Sequence, residues 1–345
     1  MTKTSDERFM RAALLEARKG LGNASPNPAV GAALVQCGRI IATGYHRASG
    51  LPHAEIECLA AAGRRSLRSA TLYVTLEPCS TTGRTPPCTD AIVHSGLKRI
   101  VIGAIDVNPA HAGRAVRQLE SAGIEVTSGV FAEECSRLNE SFNKWIVTGR
   151  PFVIAKCGMS LDGRLTRSPN ESRWLTSAAS RRHARMLRAQ VDAILIGAET
   201  LRQDNPRLTT RGVAGARQPW RIVMSRSGNL PRAAHLFTDC FAARTLFYRG
   251  KTLASVLADL GRREITSVLI EGGGDVLGQA FDGHLVDKVQ FYLAPILTGG
   301  VVPATGGRGA AATRFGARLT GMDCSRIGSD LCISGYPRWG RDDSE

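Results

Sequence analysis

One histidine, one glutamate and two cysteines could build a reactive metal site in this chain. They are His53, Glu55, Cys79 and Cys88. An imidazole and two thiolates suit zinc, and three protein ligands leave the fourth tetrahedral position open for water, as a catalytic zinc site requires. A glutamate two residues after the histidine could move protons beside the metal without binding it. The combination predicts the hydrolytic removal of an amino group from a nitrogen heterocycle.

Short elements must hold these four side chains together. The pattern predicts a helix over residues 54–63, whose first turn directs the histidine and the glutamate toward one pocket. A strand is predicted at 71–75, shortly before Cys79, and a helix at 88–95 begins at the second cysteine. Helix starts and bound cations lower the pKa of a thiol, and metal binding requires thiolates.

The alternative interpretation is a closed structural zinc site, or three buried residues without a shared role. A closed site needs a fourth protein ligand, and His94 is the nearest spare candidate. A surface position on the predicted helix explains this histidine better.

The bulk composition is that of a globular protein with room for two domains. The chain has 345 residues, of which 43% are hydrophobic and 22% charged. The chain has no run of eighteen apolar residues, so no membrane span is predicted. The polar residues 1–10 do not resemble a secretory signal. Nine cysteines, scattered and odd in number, predict free thiols in the cytoplasm rather than a disulfide framework.

The net charge of +15 leaves two interpretations open. A basic surface could attract nucleic acid or a phosphorylated small molecule, or it could be an ordinary solvated surface. The cationic residues are spread along the whole chain instead of forming one stripe, which weakens the case for nucleic acid.

Strands alternate with helices in both halves, which predicts an α/β protein with helices on the faces of its sheets. In the first half, strands are predicted at 29–36, 39–45, 71–75, 99–104 and 124–127, and helices at 6–19, 54–63, 88–95, 113–122 and 131–147. In the second half, strands are predicted at 152–156, 193–197, 221–224, 245–248, 267–270 and 288–293, with a helix at 252–260. The helix breakers at 148–151 place the domain boundary between 149 and 150, giving domains 1–149 and 150–345. The polar residues 339–345 are expected to fray.

The loop between the two cysteines has an unusual length and sequence. Eight residues separate them, where most zinc deaminases have two. The segment 75–80 reads Thr-Leu-Glu-Pro-Cys-Ser and 83–88 reads Gly-Arg-Thr-Pro-Pro-Cys. In these motifs the first half resembles one family, the bifunctional deaminase/reductase of bacterial riboflavin biosynthesis. By this resemblance, Asn27, His46 and Arg84 contact the pyrimidine substrate and its phosphate. The family often has His where this chain has Thr at 81–82, and Pro where it has Val107.

The second half carries the same resemblance. Lys156, the Ser-Leu-Asp-Gly-Arg of 160–164, the Ser-Arg-Trp-Leu-Thr of 172–176 and the Asp-Asn-Pro-Arg-Leu-Thr-Thr-Arg of 204–211 follow in the family's order. The resemblance therefore covers about residues 6–337. It implies a cytidine-deaminase-like three-layer domain followed by a dihydrofolate-reductase-like domain that uses NADPH.

The resemblance also implies the residues of the reductase site. Those expected against NADPH are Gly158, Trp174, Thr200, Asp204, Gly273 and Gly274. Those expected to hold substrate are Ser172, Arg188, Leu208, Arg211 and Glu271. The chemistry is apt, since arginine pairs well with phosphate. The glycines alone predict little, because a flexible loop is the more frequent explanation of three glycines.

One departure bears on the cofactor. After its Arg-Ile-Val strand the family often has Asp-Ser, whereas this chain has Ser225 and Arg226. Local cofactor contacts are therefore uncertain, and a hypothesis is that Arg226 approaches the 2′-phosphate of NADPH.

The resemblance implies one zinc ion per chain and two activities: deamination of a phosphorylated diaminopyrimidinone, then reduction of its ribosyl group to ribityl. It implies a homo-oligomer without nucleic-acid or membrane partners. Two rivals stay open, a nucleic-acid or nucleotide base deaminase with a basic binding domain and a non-enzymatic regulator. An aromatic content of 6% opposes the first, and the intact His53, Glu55, Cys79 and Cys88 oppose the second.

Overall fold

The structure is a computed structural model that describes residues 3–82, 86–165 and 174–340. The chain divides into two compact units, Met1–Gly149 and Arg150–Glu345. None of the helices in the described ranges is long and apolar enough to cross a lipid bilayer.

The described part of the first unit contains a five-stranded sheet in the order β2-β1-β3-β4-β5. Its strands are β1 (Gly31–Gln36), β2 (Arg39–Tyr45), β3 (Ala70–Leu76), β4 (Arg99–Ala104) and β5 (Glu125–Ser128). Its helices are α1 (Lys3–Arg18), α2 (Ala54–Ala62), α3 (Cys88–His94), α4 (Arg114–Ser121), α5 (Ala132–Leu138) and α6 (Glu140–Thr148). β1 runs antiparallel to β2 and β3, whereas β3, β4 and β5 are parallel.

Two glycines show that helices cover both faces of this sheet. A Cβ on Gly31 would lie 2.1 Å from the Ala13 carbonyl oxygen of α1. A Cβ on Gly44 would lie 2.5 Å from the Cys58 nitrogen of α2. Gly44 pairs with the neighbour of Gly31 in the ladder, and successive residues of a strand face opposite sides. The unit therefore has three layers, helix, sheet and helix.

The prediction of one long helix at 131–147 is wrong, because the structure has two helices there, α5 and α6. They meet at Asn139, whose φ of −111° and ψ of 23° interrupt the helix. The buried Asn139 amide accepts from the Ala29 N–H at 2.8 Å and donates to its carbonyl at 3.0 Å. These bonds to a distant chain segment are a tertiary reason for the break.

The described part of the second unit contains an eight-stranded sheet in the order β12-β13-β11-β6-β10-β7-β8-β9. Its strands are β6 (Phe152–Ser160), β7 (Ala193–Gly197), β8 (Trp220–Ser225), β9 (Thr245–Arg249), β10 (Ser267–Ile270), β11 (Lys288–Ala294), β12 (Arg318–Ile327) and β13 (Asp330–Arg338). Its α-helices are α7 (Ala178–Arg188), α8 (Ala198–Asp204), α9 (His235–Thr238), α10 (Leu253–Arg262) and α11 (Gly274–Asp282). The strands from β11 to β9 are parallel, and β13 is antiparallel to β11 and β12.

Alternate residues of β7 enter two separate cores, as expected for a strand that is covered on both faces. Ala193 and Leu195 pack with α10 and α11, whereas Ile194 and Ile196 pack with α8 and α9. The sequence patterns did not predict α7, α8, α9, β12 or β13. β12 is almost wholly exposed, so it carries no hydrophobic alternation that would indicate a strand.

Candidate functional site

Three predicted metal ligands converge in the first unit. The His53 Nδ1 atom lies 3.5 Å from the Cys79 Sγ and 3.3 Å from the Cys88 Sγ. All three ligand atoms lie within 4.8 Å of one another. A tetrahedral zinc ion with ordinary bond lengths would separate an imidazole nitrogen and a thiolate sulfur by about 3.5 Å. The donor set and its spacing therefore fit zinc, and among the described residues His94 does not join this group.

Local structure places each of these ligands. His53 is the residue before α2, and the missing side chain of Gly44 lets that helix approach β2 closely. Cys79 follows β3, and Cys88 begins α3 after an extended Pro87. The Cys88 N–H donates to the Cys79 sulfur at 3.2 Å, which fixes the second loop against the first.

The two thiols share their protons unequally. A hydrogen bond from the Cys88 thiol lowers the pKa of Cys79 to about 4. The same hydrogen bond, together with burial, raises the pKa of Cys88. A bound cation is the ordinary means of stabilising two adjacent thiolates, so this pair suits a metal better than it suits an isolated nucleophile.

Glu55 lies in the first turn of α2 and is only 3% exposed. Burial raises the pKa of this carboxyl group from 4.5 to about 6. A carboxyl group in this range exchanges a proton readily near neutral pH, which is what proton transfer requires. The structure thus brings a buried carboxyl group, the predicted proton carrier, beside the predicted metal ligands.

Asn27 and His46 make polar contacts next to the predicted metal ligands. The Asn27 amide nitrogen lies 3.1 Å from His46 Nε2, and His46 Nδ1 lies 3.1 Å from the Pro52 carbonyl oxygen. The carbonyl can only accept, so Nδ1 carries the proton and Nε2 accepts from Asn27. Burial lowers the pKa of His46, which agrees with a neutral ring. The imidazoles of His46 and His53 meet edge to face, 5.1 Å apart.

Glu77 is a positioning residue that sequence reasoning missed. Its buried carboxylate accepts from the Asp106, Gly113 and Ala115 N–H groups at 3.2, 2.9 and 2.9 Å. It therefore holds the 106–115 segment against the loop that carries Cys79. Its place in the Glu-Pro-Cys motif was the available signal. Arg84, the predicted phosphate contact, lies outside the described residues.

The second unit contains a cleft of about 1660 Å³ along the carboxyl ends of its parallel strands. Many of the predicted reductase residues line it: Gly158, Trp174, Arg188, Thr200, Asp204, Leu208, Arg211, Glu271, Gly273 and Gly274. Ser172 lies outside the described residues. Carboxyl ends of parallel strands are where open α/β sheets bind ligands. Sequence reasoning did not place Lys156, Arg185 or Lys251 in a site, although all three line the cleft.

A buried ion pair lies in this cleft. Arg188 donates from Nε and Nη2 to the two carboxylate oxygens of Glu271 at 2.6 and 2.8 Å, and Lys156 Nζ lies 3.7 Å from the same group. Burial alone would raise the pKa of Glu271, but the Arg188 and Lys156 charges outweigh it and lower that pKa from 4.5 to about 2. Glu271 is therefore ionised at neutral pH and offsets part of the local positive charge.

Two of the three glycines after β10 have different physical roles. The Gly273 N–H donates to Thr200 Oγ1 at 3.1 Å, and α11 begins at Gly274. Amides at a helix start can bind an anionic group such as a pyrophosphate. A Cβ on Gly274 would lie 2.4 Å from the Pro303 carbonyl oxygen, so chain packing requires glycine there. The turn is therefore held in place by these contacts and is not simply a flexible loop, and a fixed turn at a helix start suits the pyrophosphate of a dinucleotide.

Leu208 adopts a backbone conformation that leucine rarely uses. Its φ is +50° and its side chain is only 2% exposed. A left-handed conformation at a non-glycine residue costs on the order of 1 kcal/mol or more, and such residues cluster at ligand sites. Leu208 lines the cleft while its side chain packs in the core, so a substrate contact there stays a prediction.

Comparison with known proteins connects both sites to one family. A family model of the cytidine and deoxycytidylate deaminase zinc-binding region matches residues 3–104, and a model of the RibD C-terminal domain matches residues 151–333. The riboflavin biosynthesis protein RibD of Synechocystis is 40% identical and is aligned over 96% of each chain. That of Aquifex aeolicus is 36% identical, over 96% of this chain and 99% of the relative.

Solved structures agree over nearly the whole length. Acinetobacter baumannii RibD is 32% identical with a TM-score of 0.89, covering 98% of this chain and 100% of that one. A Thermotoga maritima diaminohydroxyphosphoribosylaminopyrimidine deaminase/5-amino-6-(5-phosphoribosylamino)uracil reductase is 35% identical with a TM-score of 0.88, covering 97% and 99%.

Fold and site together define a zinc-dependent deaminase that is joined to a reductase. The chain belongs to the RibD family of riboflavin biosynthesis, in which one chain combines a zinc-dependent deaminase with an NADPH-dependent reductase. The family resemblance drawn from the sequence is confirmed.

Proposed function

We propose that this enzyme deaminates 2,5-diamino-6-(5-phosphoribosylamino)pyrimidin-4(3H)-one and then reduces the ribosyl side chain of the product to ribityl. The deaminase would occupy residues 1–149 and the reductase residues 150–345. The convergence of His53, Cys79 and Cys88, with Glu55 buried beside them, is the observation that carries the proposal. The substrate itself is inferred from the activities that the Thermotoga maritima relative carries in its name.

In the deaminase unit, His53, Cys79 and Cys88 would hold zinc, which when bound supplies a Lewis acid that makes water acidic near neutral pH. Glu55 would take a proton from the water and deliver it to the departing amino nitrogen, so that water and amine become carbonyl and ammonia. The neutral His46, fixed by Asn27 and the Pro52 carbonyl, would orient the pyrimidine ring.

In the reductase unit, NADPH would lie against Gly158, Trp174, Thr200, Asp204, Gly273 and Gly274. When bound, the cofactor supplies the hydride that reduces C1′ of the opened ribosyl imine. Arg211 would bind the substrate phosphate, which suits its planar donor fork. Arg188 is already paired with Glu271, so this pair would act as one rigid, partly neutralised wall of the site. Leu208 would contact the substrate from the cleft wall.

Ammonia release and NADPH oxidation by the full-length protein test the two steps separately. With the diaminopyrimidinone phosphate, ammonia should appear before any NADPH is added, and NADPH oxidation should follow. Glu55→Gln should retain zinc and lose ammonia release by about 10²- to 10⁴-fold. Asp204→Asn should spare ammonia release and slow NADPH oxidation. Retained deamination in the Glu55 variant would refute the proton-transfer role, and parallel loss of both activities in the Asp204 variant would refute separate sites.

We also propose a cytoplasmic location, which the scattered and odd-numbered cysteines support. Homo-oligomer formation stays a prediction from the family resemblance.

A further inference from the structure

Two cations lie side by side at the far end of the reductase cleft. Arg226 is the first residue after β8, and Lys251 follows the end of β9 by two residues. These strands are parallel neighbours, and the Gly250 N–H donates to the Ser225 carbonyl just beyond their ladder at 2.9 Å. The two side chains therefore leave adjacent strands at the same edge of the sheet, and both line the cleft.

Neither cation is neutralised by the protein. Among the residues that the structure describes, the side chains of Arg226 and Lys251 make no hydrogen bond or ion pair, and both residues are exposed. The nearby Arg202 differs, since it donates to Glu199 and to the Asn229 carbonyl, each at 2.8 Å. The cleft thus presents two uncompensated positive charges at this end, which favours an anionic group there.

The strand order gives the distance between Lys251 and the part of the cleft where Glu271 lies. Glu271 follows β10, and Lys251 follows β9, three strand positions away. Neighbouring strands are about 4.8 Å apart, so the ends of β10 and β9 are separated by about 14 Å. The glycine turn that fits a pyrophosphate also follows β10, with Thr200 of α8 beside it. A dinucleotide held at that turn by its pyrophosphate would extend its adenosine ribose along the strand ends toward β8 and β9.

We infer that Arg226 and Lys251 form the subsite for the 2′-phosphate of NADPH and set the preference of this enzyme for NADPH over NADH. The inference rests on the proposed binding of the dinucleotide in this cleft. The 2′-phosphate is a dianion near neutral pH and is the sole chemical difference between the two cofactors. An arginine can bind it through two parallel hydrogen bonds, and a lysine adds a compact point charge.

A direct binding measurement tests the inference without relying on turnover. Isothermal titration calorimetry on zinc-loaded, full-length protein would give the Kd of NADP⁺, NAD⁺ and 2′,5′-ADP. The variants are Arg226→Ala, Lys251→Ala and the double substitution, with Arg232→Ala as the matched control because Arg232 is exposed and outside the cleft. A charge-assisted hydrogen bond contributes about 10- to 100-fold in affinity. Each single variant should therefore weaken NADP⁺ and 2′,5′-ADP by about 10-fold or more and leave NAD⁺ unchanged.

The outcomes separate this inference from the proposed function. If wild-type protein prefers NADP⁺ and the double variant keeps that preference, the inference is overturned while the reductase assignment stands. Equal weakening of NADP⁺ and NAD⁺ would also overturn it, because the residues would then act on another part of the cofactor. If the wild-type protein binds neither dinucleotide, the proposed reductase function fails as well. Ammonia release, which depends on the other unit, should be unchanged in every variant, and NAD⁺ binding equal to that of the wild type serves as the check on folding of the second unit.

Discussion

The zinc site and the reductase cleft are built in opposite ways. The candidate zinc site takes its three predicted ligands from His53 and from the short segment 79–88, and the ligand atoms lie within 4.8 Å of one another. The cleft is about 1660 Å³ in volume and takes its walls from residues spread between Lys156 and Gly307. One site depends on a few atoms that each bind the same ion. The other depends on many weak contacts along a long cofactor and substrate.

Single substitutions should therefore have very different effects in the two sites. A metal site loses its ion when one of three ligands is removed, since coordination is shared among very few atoms. A dinucleotide cleft also binds through many van der Waals contacts that are individually small and collectively large, so most single changes there should have smaller effects than the loss of a metal ligand. The buried Arg188–Glu271 pair is the exception in the cleft, because removing one partner leaves an uncompensated charge.

The largest effect is expected from Cys88→Ser. The variant should lose stoichiometric zinc and release ammonia at least about 10³-fold more slowly, because the loss of a metal centre removes several kcal/mol of transition-state stabilisation. Metal analysis and an ammonia assay measure both, and reduction of the already deaminated substrate should persist. Cys37→Ser is the control, since Cys37 is an exposed free thiol. Full zinc occupancy in the Cys88 variant would contradict the ligand assignment.

Glu271→Gln tests the exception in the cleft. Removing the carboxylate leaves the Arg188 and Lys156 charges without their partner, so the free energy of unfolding of the second unit should fall by about 3–5 kcal/mol. Urea denaturation monitored by tryptophan fluorescence measures this. The control Glu199→Gln breaks an exposed pair with Arg202 and should cost less than about 1 kcal/mol. Equal losses in the two variants would show that burial adds nothing to the first pair.

The same carboxylate predicts a pH dependence. The folded-state pKa of Glu271 is lowered from 4.5 to about 2, so its contribution is fully present above 4.5 and is lost as the pH falls toward 2. A difference of this size corresponds to about 3 kcal/mol. The free energy of unfolding of the wild type should therefore fall more steeply than that of Glu271→Gln between about pH 5 and about pH 3. Parallel profiles would show that Glu271 does not carry this dependence.

The smallest effect is expected from Thr200→Val. The substitution keeps the shape of the side chain but removes the acceptor of the Gly273 N–H. A neutral hydrogen bond contributes about 1 kcal/mol, so NADPH should bind about 5-fold more weakly. Titration calorimetry measures the change, and Thr313→Val outside the cleft is the control. A loss of 100-fold or more, about 2.7 kcal/mol, would mean that the cleft concentrates its binding energy as the zinc site does.

Much of the fold followed from local patterns, and the exceptions have tertiary causes. The predicted strands at 39–45, 99–104, 193–197 and 267–270 have the same bounds in the structure. The helix predicted at 131–147 is divided because Asn139 bonds to Ala29, which lies 110 residues away. β12 escaped prediction because it is held by pairing with β13 and not by burial of one face.

The ligand types, their order and the proton carrier were predictable from the sequence alone, because those residues fall within short motifs. So was the family, since its motifs run in order through both halves. The pairing of Arg188 with Glu271, 83 residues away, and the neighbouring positions of Arg226 and Lys251 after β8 and β9 depend on the tertiary structure. Charge partners and subsites depend on which strand ends become neighbours. The order of the strands in the sheet decides which strand ends are neighbours, and this order cannot be predicted from the spacing of residues within one segment.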